Sequence, residues 1–203
     1  MYSKGICDVD FVVCNTDAQT LENSPVPLKI QLGKKLTEGH GAGNDPFQGA
    51  RSAEESLEEI KEMLRRNTKM AFITAAMGGG TGTGAAPVIA RLTKEMDILT
   101  VGIVSIPARF EGPKRLNQAR EGLRLLKDNV DCLIVIDNEK IKKIYGSQTI
   151  SAAFAKANDV LNIAAKGIAE IITLPGYINV DFADVKTVMT NSGVAIMGAA
   201  QAS

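Results

Sequence analysis

Short, mostly apolar runs alternate along the chain with longer stretches in which apolar residues recur at helical spacing. The runs cover residues 9–14, 28–32, 70–77, 99–106 and 132–136. Runs of this length that are rich in β-branched residues are typical of strands buried on both faces of a parallel sheet. Because helical stretches separate the runs, the pattern predicts an α/β fold with a Rossmann-like parallel sheet flanked by helices.

Four stretches have the three- and four-residue spacing of an amphipathic helix. Their apolar positions are Ala53, Leu57, Ile60 and Leu64; Val88, Ile89, Leu92 and Met96; Leu116, Ala119, Leu123 and Leu126; and Val160, Ile163, Ala164, Ile168, Ile171 and Ile172. Ser52 and Glu55 form a capping-box pattern that predicts the start of the first helix, and Pro87 is placed in the first turn of the second. The fourth stretch predicts one long core helix over residues 151–173.

The third apolar run leads into the sequence Gly-Gly-Gly-Thr-Gly-Thr-Gly at residues 78–84. A backbone this bare can approach a ligand closely and direct successive N–H groups at it, with the hydroxyls of Thr81 and Thr83 beside them. Together with the dipole of the following helix, these donors favour an anion, most simply a phosphate. The alternative is a glycine-rich turn that allows a helix and a strand to pack closely.

Two better-known glycine motifs fit this stretch less well. The Walker A motif ends in Gly-Lys-Ser/Thr, whereas Gly84 is followed by Ala85 and Ala86. Gly80, Gly82 and Ala85 have the spacing of a dinucleotide-binding motif, but the stretch does not follow the first strand, and no acidic residue ends the next strand. An NAD-binding α/β enzyme is therefore the less favoured alternative.

The composition excludes several other classes of function. Lys and Arg number 23 and Asp and Glu number 23, so nothing indicates a nucleic-acid partner. The three cysteines lack metal-ligand spacing and there is one histidine, so no protein metal site is predicted. Cys14 and Cys132 lie in apolar runs, so we expect these two thiols to be buried and reduced, as in a cytosolic protein. No apolar span is long enough to predict direct insertion into a membrane.

Small or polar residues follow several predicted strands, at the end of the sheet where ligands bind in α/β folds. These residues are Asn15 and Asp17; Gly41, Ala42 and Gly43; Glu111 and Arg115; and Asn138. Each group also has an ordinary structural explanation. Asn15 and Asp17 suit an Asx-turn, residues 41–43 a flexible loop, Glu111 and Arg115 an ion pair at i,i+4 spacing, and Asn138 a turn. By pattern alone Phe154 is a core residue, while Asp181 and Asp184 cap a helix.

The glycine stretch, followed by Ala85-Ala86-Pro87, resembles the signature of the tubulin/FtsZ superfamily, and the Ala-Ala-Pro is similar to that of its bacterial cell-division branch. The resemblance extends from about Asp8 to the last residue. It implies a GTPase that binds GTP/GDP with Mg²⁺, polymerises head to tail into filaments, and acts in the cytoplasm at the division site. A non-hydrolysing filament or scaffold protein of the same fold is the alternative.

The resemblance also implies roles for individual residues. It assigns nucleotide contacts to Asn15, Asp17, Gly41, Ala42, Gly43, Gly78, Gly79, Gly80, Thr81, Gly82, Thr83, Gly84, Glu111, Arg115, Asn138, Phe154, Asn158 and Asp159. Among these, Glu111 would contact the ribose and Arg115 the sugar and phosphates. Phe154 would stack on guanine, and Asn158 or Asp159 would bind the base edge. Asn179, Asp181 and Asp184 resemble the family's catalytic loop, which enters the nucleotide site of the next subunit.

Finally, the resemblance implies two domains. Residues 1–175 would form the GTP-binding domain with its core helix, and residues 176–203 the catalytic loop and the beginning of a second α/β domain, with a strand from Val194. The family's first strand, first glycine loop and partner-binding C-terminal tail have no counterpart, so both ends are expected to be missing. We therefore expect this chain alone to bind GTP weakly, to hydrolyse little of it and to aggregate.

Overall fold

The computed structural model describes residues 2, 6, 9–65, 67–145, 150–173 and 181–195. The strands are β1 (Val12–Asn15), β2 (Leu28–Gln31), β3 (Met70–Ala76), β4 (Leu99–Ile106), β5 (Cys132–Asp137) and β6 (Gly193–Val194). The helices are α1 (Ala18–Glu22), α2 (Lys34–Thr37), α3 (Pro46–Glu55), α4 (Leu57–Leu64), α5 (Thr81–Glu95), α6 (Pro113–Lys127), α7 (Asn138–Tyr145), α8 (Ile150–Thr173) and α9 (Phe182–Met189).

The strands form two sheets in which every pairing is parallel, as the apolar runs predict. β1 pairs with β2, and the other four strands have the order β3-β4-β5-β6. In the described part of the chain, β1 and β3 each have one edge without a pairing strand. Parallel pairing brings the carboxyl ends of β3, β4 and β5 to one edge of their sheet, where several candidate residues follow.

Helices cover both faces of the larger sheet. Val101 and Ile103 of β4 pack with Ala164 and Ile168 of α8 on one face. Val104 lies on the other face, in a cluster with residues of α5 and α6. Because β4 is covered on both faces, its sequence is an uninterrupted apolar run.

A further hydrophobic cluster ties the small sheet to α5. Ile30 of β2 and the following Leu32 pack with Ile60 of α4 and with Val88 and Leu92 of α5. Helix α5 therefore contributes to the core beneath each sheet. The first turn of α5, which contains most of the glycine stretch, therefore belongs to a helix that is packed against both sheets.

The predicted start of the first long helix is wrong. Helix α3 begins after Asp45, whose carboxylate caps it, with Pro46 at its first position. Ser52 lies inside this helix, and its hydroxyl donates to the carbonyl of Gln48 at 2.8 Å. Ser52 and Glu55 therefore do not form a capping box, because an earlier cap and a well-placed proline begin the helix sooner.

The predicted position of Pro87 is also wrong. Helix α5 begins at Thr81, within the glycine stretch, so Pro87 lies in the helix interior and not in its first turn. Val194 belongs to a short strand, Gly193–Val194, which pairs with Cys132 and Leu133 of β5 in the larger sheet. Most of the strand predicted from Val194 onward lies outside the described residues. The proposed boundary between residues 175 and 176 lies outside the described residues.

Cys14 and Cys132 are free thiols, as predicted. Burial, with a smaller contribution from Glu59, raises the pKa of Cys14 to about 11. Burial also raises the pKa of Cys132. Both side chains are therefore protonated near neutral pH. Cys7 lies outside the described residues. Among the helices that the structure describes, none combines the length and apolarity needed to cross a bilayer.

Candidate functional site

The glycine turn comprises residues 77–80, between the end of β3 and the start of α5. Gly78 has φ +104°, a conformation that other residues rarely adopt. Its N–H donates to the Thr83 hydroxyl at 2.8 Å, and the N–H of Met77 donates to the Ser105 carbonyl at 2.8 Å. The turn is therefore held on one side by α5 and on the other by β4.

The turn presents a row of backbone donors. The first backbone hydrogen bond into α5 runs from the N–H of Gly84 to the carbonyl of Gly80 at 3.0 Å. Within the described residues, no hydrogen bond engages the N–H groups of Gly79, Gly80, Thr81, Gly82 or Thr83. These groups lie at the N-terminal end of a 15-residue helix, where the helix dipole is positive. The arrangement suits an anion.

Most glycines of the stretch are packed against protein. A Cβ on Gly80 would lie 2.9 Å from both the Ala42 Cβ and the Asp45 nitrogen, and one on Gly82 would lie 2.6 Å from the Ala76 carbonyl oxygen. A Cβ on Gly84 would overlap the carbonyl oxygen of Pro46. The close-packing alternative is thus correct for these three positions. Only at Gly79, among the glycines of this stretch, would a Cβ meet nothing within 4 Å.

Two loops lie next to the turn. The N–H of Gly41 donates to the carbonyl of Thr16 at 3.3 Å, which joins the loop after α2 to the loop after β1. Ala42 contacts the turn through Gly80, as described above. Gly41 and Gly43 have positive φ, which explains glycine at both positions. The structure therefore brings residues 15–17, 41–43 and the glycine turn together, as the sequence predicted.

The side chains of Asn15 and Asp17 make the local hydrogen bonds to the backbone that an Asx-turn predicts. The Asn15 side-chain oxygen accepts the N–H of Asp17 at 3.2 Å. The Asp17 carboxylate accepts the N–H of Thr20 at 2.7 Å and caps α1. Both side chains thus shape the loop, and a ligand contact by either remains a prediction.

Glu111 and Arg115 form the ion pair expected from their spacing, with 3.0 Å between Oε2 and Nη1. Glu111 also accepts the N–H of Ala108 at 2.9 Å, and its side chain is only 12% exposed. A Cβ on Gly78 would lie 3.0 Å from the Arg115 carbonyl oxygen, so this pair adjoins the glycine turn. The guanidinium of Arg115, whose side chain is 45% exposed, is the accessible member.

Asn138 is the first residue of α7 and directly follows β5. Its Oδ1 atom is buried and has no hydrogen-bond partner within the described residues. An unpartnered buried oxygen costs stability unless a water or a bound group supplies the missing donor. Asn158 is exposed and Asp159 is partly buried on α8. The side chain of Phe154 and all of Asn179 lie outside the described residues.

The structure places Asp181 and Asp184 in a capping box. The Asp181 carboxylate accepts the N–H of Asp184 at 2.9 Å, and the Asp184 carboxylate accepts the N–H of Asp181 at 3.2 Å. Lys186, on the same helix, pairs with Asp97 at 3.1 Å, just beyond the C-terminal end of α5. Since α5 is about 22 Å long at 1.5 Å per residue, this contact lies at the end of α5 remote from the glycine turn.

Sequence reasoning missed the part that Thr16 takes in the site. This residue is fully buried, and its hydroxyl lies 2.7 Å from the Thr81 hydroxyl. The only sequence signal is its position between Asn15 and Asp17 after a strand. Within the described residues, no cluster of three or more His, Cys, Asp or Glu could hold a metal ion.

Comparisons with known proteins show the family to which the chain belongs. The family model "Tubulin/FtsZ family, GTPase domain" matches residues 3–146. Cell division protein FtsZ of Pseudomonas aeruginosa is 52% identical over 204 residues, which cover 100% of this chain and 52% of that protein. The FtsZ of Aquifex aeolicus is 49% identical over 199 residues, covering 98% of this chain and 54% of that protein. The chain thus spans about half the length of these relatives.

Solved structures show the same fold. An empty FtsZ dimer from M. jannaschii superposes with a TM-score of 0.90 at 48% identity, covering 95% of this chain and 56% of that one. A GTPγS-bound protofilament of CetZ2 from Haloferax volcanii has a TM-score of 0.73 at 26% identity, covering 91% of this chain and 55% of that one. With the family match over most of its length, the chain belongs to the tubulin/FtsZ family.

Proposed function

We propose that the protein binds GTP and GDP at the glycine turn, hydrolyses GTP, and assembles head to tail into filaments. The observation that carries this proposal is the row of unengaged N–H groups at residues 79–83, together with the open space above Gly79. Such donors suit the phosphates of a nucleotide. The names of the FtsZ relatives and the GTPγS-bound CetZ2 protofilament support the choice of GTP and of a filament.

The residues around the turn suit the remaining parts of a nucleotide. The exposed guanidinium of Arg115 can neutralise phosphate charge, and Glu111 can accept hydrogen bonds from ribose hydroxyls. The buried oxygen of Asn138 can accept a hydrogen bond from the nucleoside. Bound Mg²⁺ would neutralise charge on the terminal phosphates. Since the described part of the chain offers no cluster of metal ligands, the ion would be held mainly by the nucleotide and water.

The names of the relatives also support a role in bacterial cell division. We propose that the protein acts in the cytoplasm at the division site. Its partners there would include further copies of itself and division proteins that bind elsewhere on the whole protein. The balanced net charge of the sequence gives no reason to add nucleic acid to these partners.

Gly79→Ala tests the phosphate site directly. The added methyl group meets no protein atom within 4 Å apart from its own chain neighbours, and at the proposed site it would take up space needed by the phosphate. We expect GDP affinity, measured by isothermal titration, to fall about tenfold or more, with thermal stability unchanged. Gly82→Val is a poorer test, because its side chain would strike the Ala76 carbonyl. A folded Gly79→Ala protein with unaltered affinity would contradict the site.

A second test concerns recognition of the base by α8. If Asn158 or Asp159 binds the N1 and N2 donors of guanine, then Asn158→Ala or Asp159→Ala should reduce the preference for GTP over ATP. One lost hydrogen bond of this kind costs about 1–3 kcal/mol, or roughly 5- to 150-fold in preference. Competition binding of both nucleotides measures it. If neither change alters the preference, another residue selects the base.

A further inference from the structure

The hydroxyl of Thr16 lies beneath the glycine turn in a fully buried position. Its oxygen is 2.7 Å from the hydroxyl oxygen of Thr81, and either group could donate in this bond. Within the described residues, this is the one hydrogen bond that the Thr16 hydroxyl makes. The two residues are 65 positions apart, so the contact joins separate parts of the chain.

The backbone of Thr16 joins the turn to a third segment. Its carbonyl oxygen accepts hydrogen bonds from the N–H of Gly41 and from the hydroxyl of Thr37, each at 3.3 Å. The single proton of the Thr37 hydroxyl is shared between this contact and the Gly33 carbonyl oxygen, which lies 3.0 Å away. Thr16 therefore connects the loop after β1, the loop at residues 39–45, and the first residue of α5.

A bound anion would determine the direction of the hydroxyl bond. Thr81 has one proton, so if it donates that proton to a phosphate oxygen it can only accept from Thr16. Thr16 is buried away from water and has its own proton available for this bond. A hydroxyl that accepts one hydrogen bond becomes a better donor in the next, because the bonds in a chain polarise one another.

We propose that Thr16 is a positioning residue, which orients the Thr81 hydroxyl toward phosphate and couples the loop at residues 39–45 to the glycine turn. The role rests on the proposed function, since it requires a phosphate at the turn. It adds a residue that the predicted set of nucleotide contacts does not contain. Thr16 itself is too deeply buried to touch the ligand.

Four variants test the role: Thr16→Val, Thr16→Ser, Thr81→Val and the double variant. Valine keeps the shape of threonine without its hydroxyl, whereas serine keeps the hydroxyl. We expect Thr16→Val to weaken GDP binding about fivefold and Thr16→Ser to restore most of the affinity. The double variant should bind no more weakly than Thr81→Val alone, because the two hydroxyls act as one unit. Additive losses, or equal losses in the serine and valine variants, would overturn the proposal.

Amide hydrogen exchange without nucleotide provides a second measurement. Thr16→Val should speed the exchange of the hydrogen-bonded amides of both segments together, those of His40, Gly41 and Asp45 in the loop and those of Gly78 and Gly84 at the glycine stretch, and Thr16→Ser should leave them close to the unaltered protein. Unchanged exchange in Thr16→Val would show that Thr16 does not couple the two segments. If the unaltered protein bound no GDP, the proposed function would fail. The exchange rates would still decide whether Thr16 joins the loops.

Discussion

Replacing Gly84 with alanine is expected to lower the free energy of unfolding by about 3 kcal/mol or more. The new methyl group would overlap the Pro46 carbonyl oxygen and lie 2.6 Å from the Ala50 nitrogen. Both are backbone atoms of α3, so no side chain can rotate out of the way and α3 itself must move. The clash must also outweigh the gain of about 1 kcal/mol that alanine brings to a helix interior.

Urea denaturation of the Gly84→Ala and Gly79→Ala variants, side by side, measures the free energy of unfolding of each. Gly79 is five residues away and has open space around it, so its variant should stay within about 0.5 kcal/mol of the unaltered protein. The pair separates two uses of glycine in one stretch, since Gly79→Ala should lose ligand and Gly84→Ala should lose stability. Equal stability of the two variants would show that α3 and α5 separate easily.

Asp181→Asn is expected to keep GTP affinity and to lower GTP turnover by about 100-fold or more, the usual contribution of a group that moves or orients a proton. Asparagine can still cap α9, so the substitution removes the negative charge but keeps the hydrogen bond to the N–H of Asp184. Asp181→Ala would remove both. Because α9 contacts the end of α5 remote from the glycine turn, we expect Asp181 to act on the nucleotide of a neighbouring subunit.

Phosphate release with GTP and Mg²⁺ measures the turnover, and Asp184→Asn is the matched second variant. Mixing Asp181→Asn with Gly79→Ala should restore part of the activity, since each supplies the half-site that the other lacks. A mixture without rescue would place the action of Asp181 within its own chain. Full GTPase activity in Asp181→Asn would show that Asp181 serves only as a helix cap. Absence of turnover in the unaltered protein would favour a non-hydrolysing filament protein.

The regular elements could be predicted because their sequence signals are local. The apolar run at residues 99–106 coincides with β4, and the stretch at 151–173 matches α8 within one residue. Helix starts were less predictable, because several residues can cap a helix. At α3 the combination of Asp45 and Pro46 prevails over the pattern of Ser52 and Glu55.

The candidate site could be located from the sequence, but its internal contacts could not. Strand ends and the glycine signature indicated the neighbourhood of Gly41, Ala42 and the turn. That Gly84 faces α3 while Gly79 faces open space depends on where two distant segments cross. The burial of Thr16 depends in the same way on the path of the chain around it. Tertiary packing sets these features, and no spacing along the sequence encodes them.

The pairing of β6 with β5 has a consequence for the order of events on the ribosome. The Gly193 N–H donates to the Asp131 carbonyl at 3.1 Å, and this bond can form only after α7, α8 and α9 have been synthesised. At roughly 5–20 residues per second, the outer edge of β5 waits several seconds for its neighbour. During that time the glycine turn, α3, α5 and α6 are already complete. Until α9 has been made, the nascent chain therefore exposes an unpaired outer edge on β5, where another strand can pair wrongly.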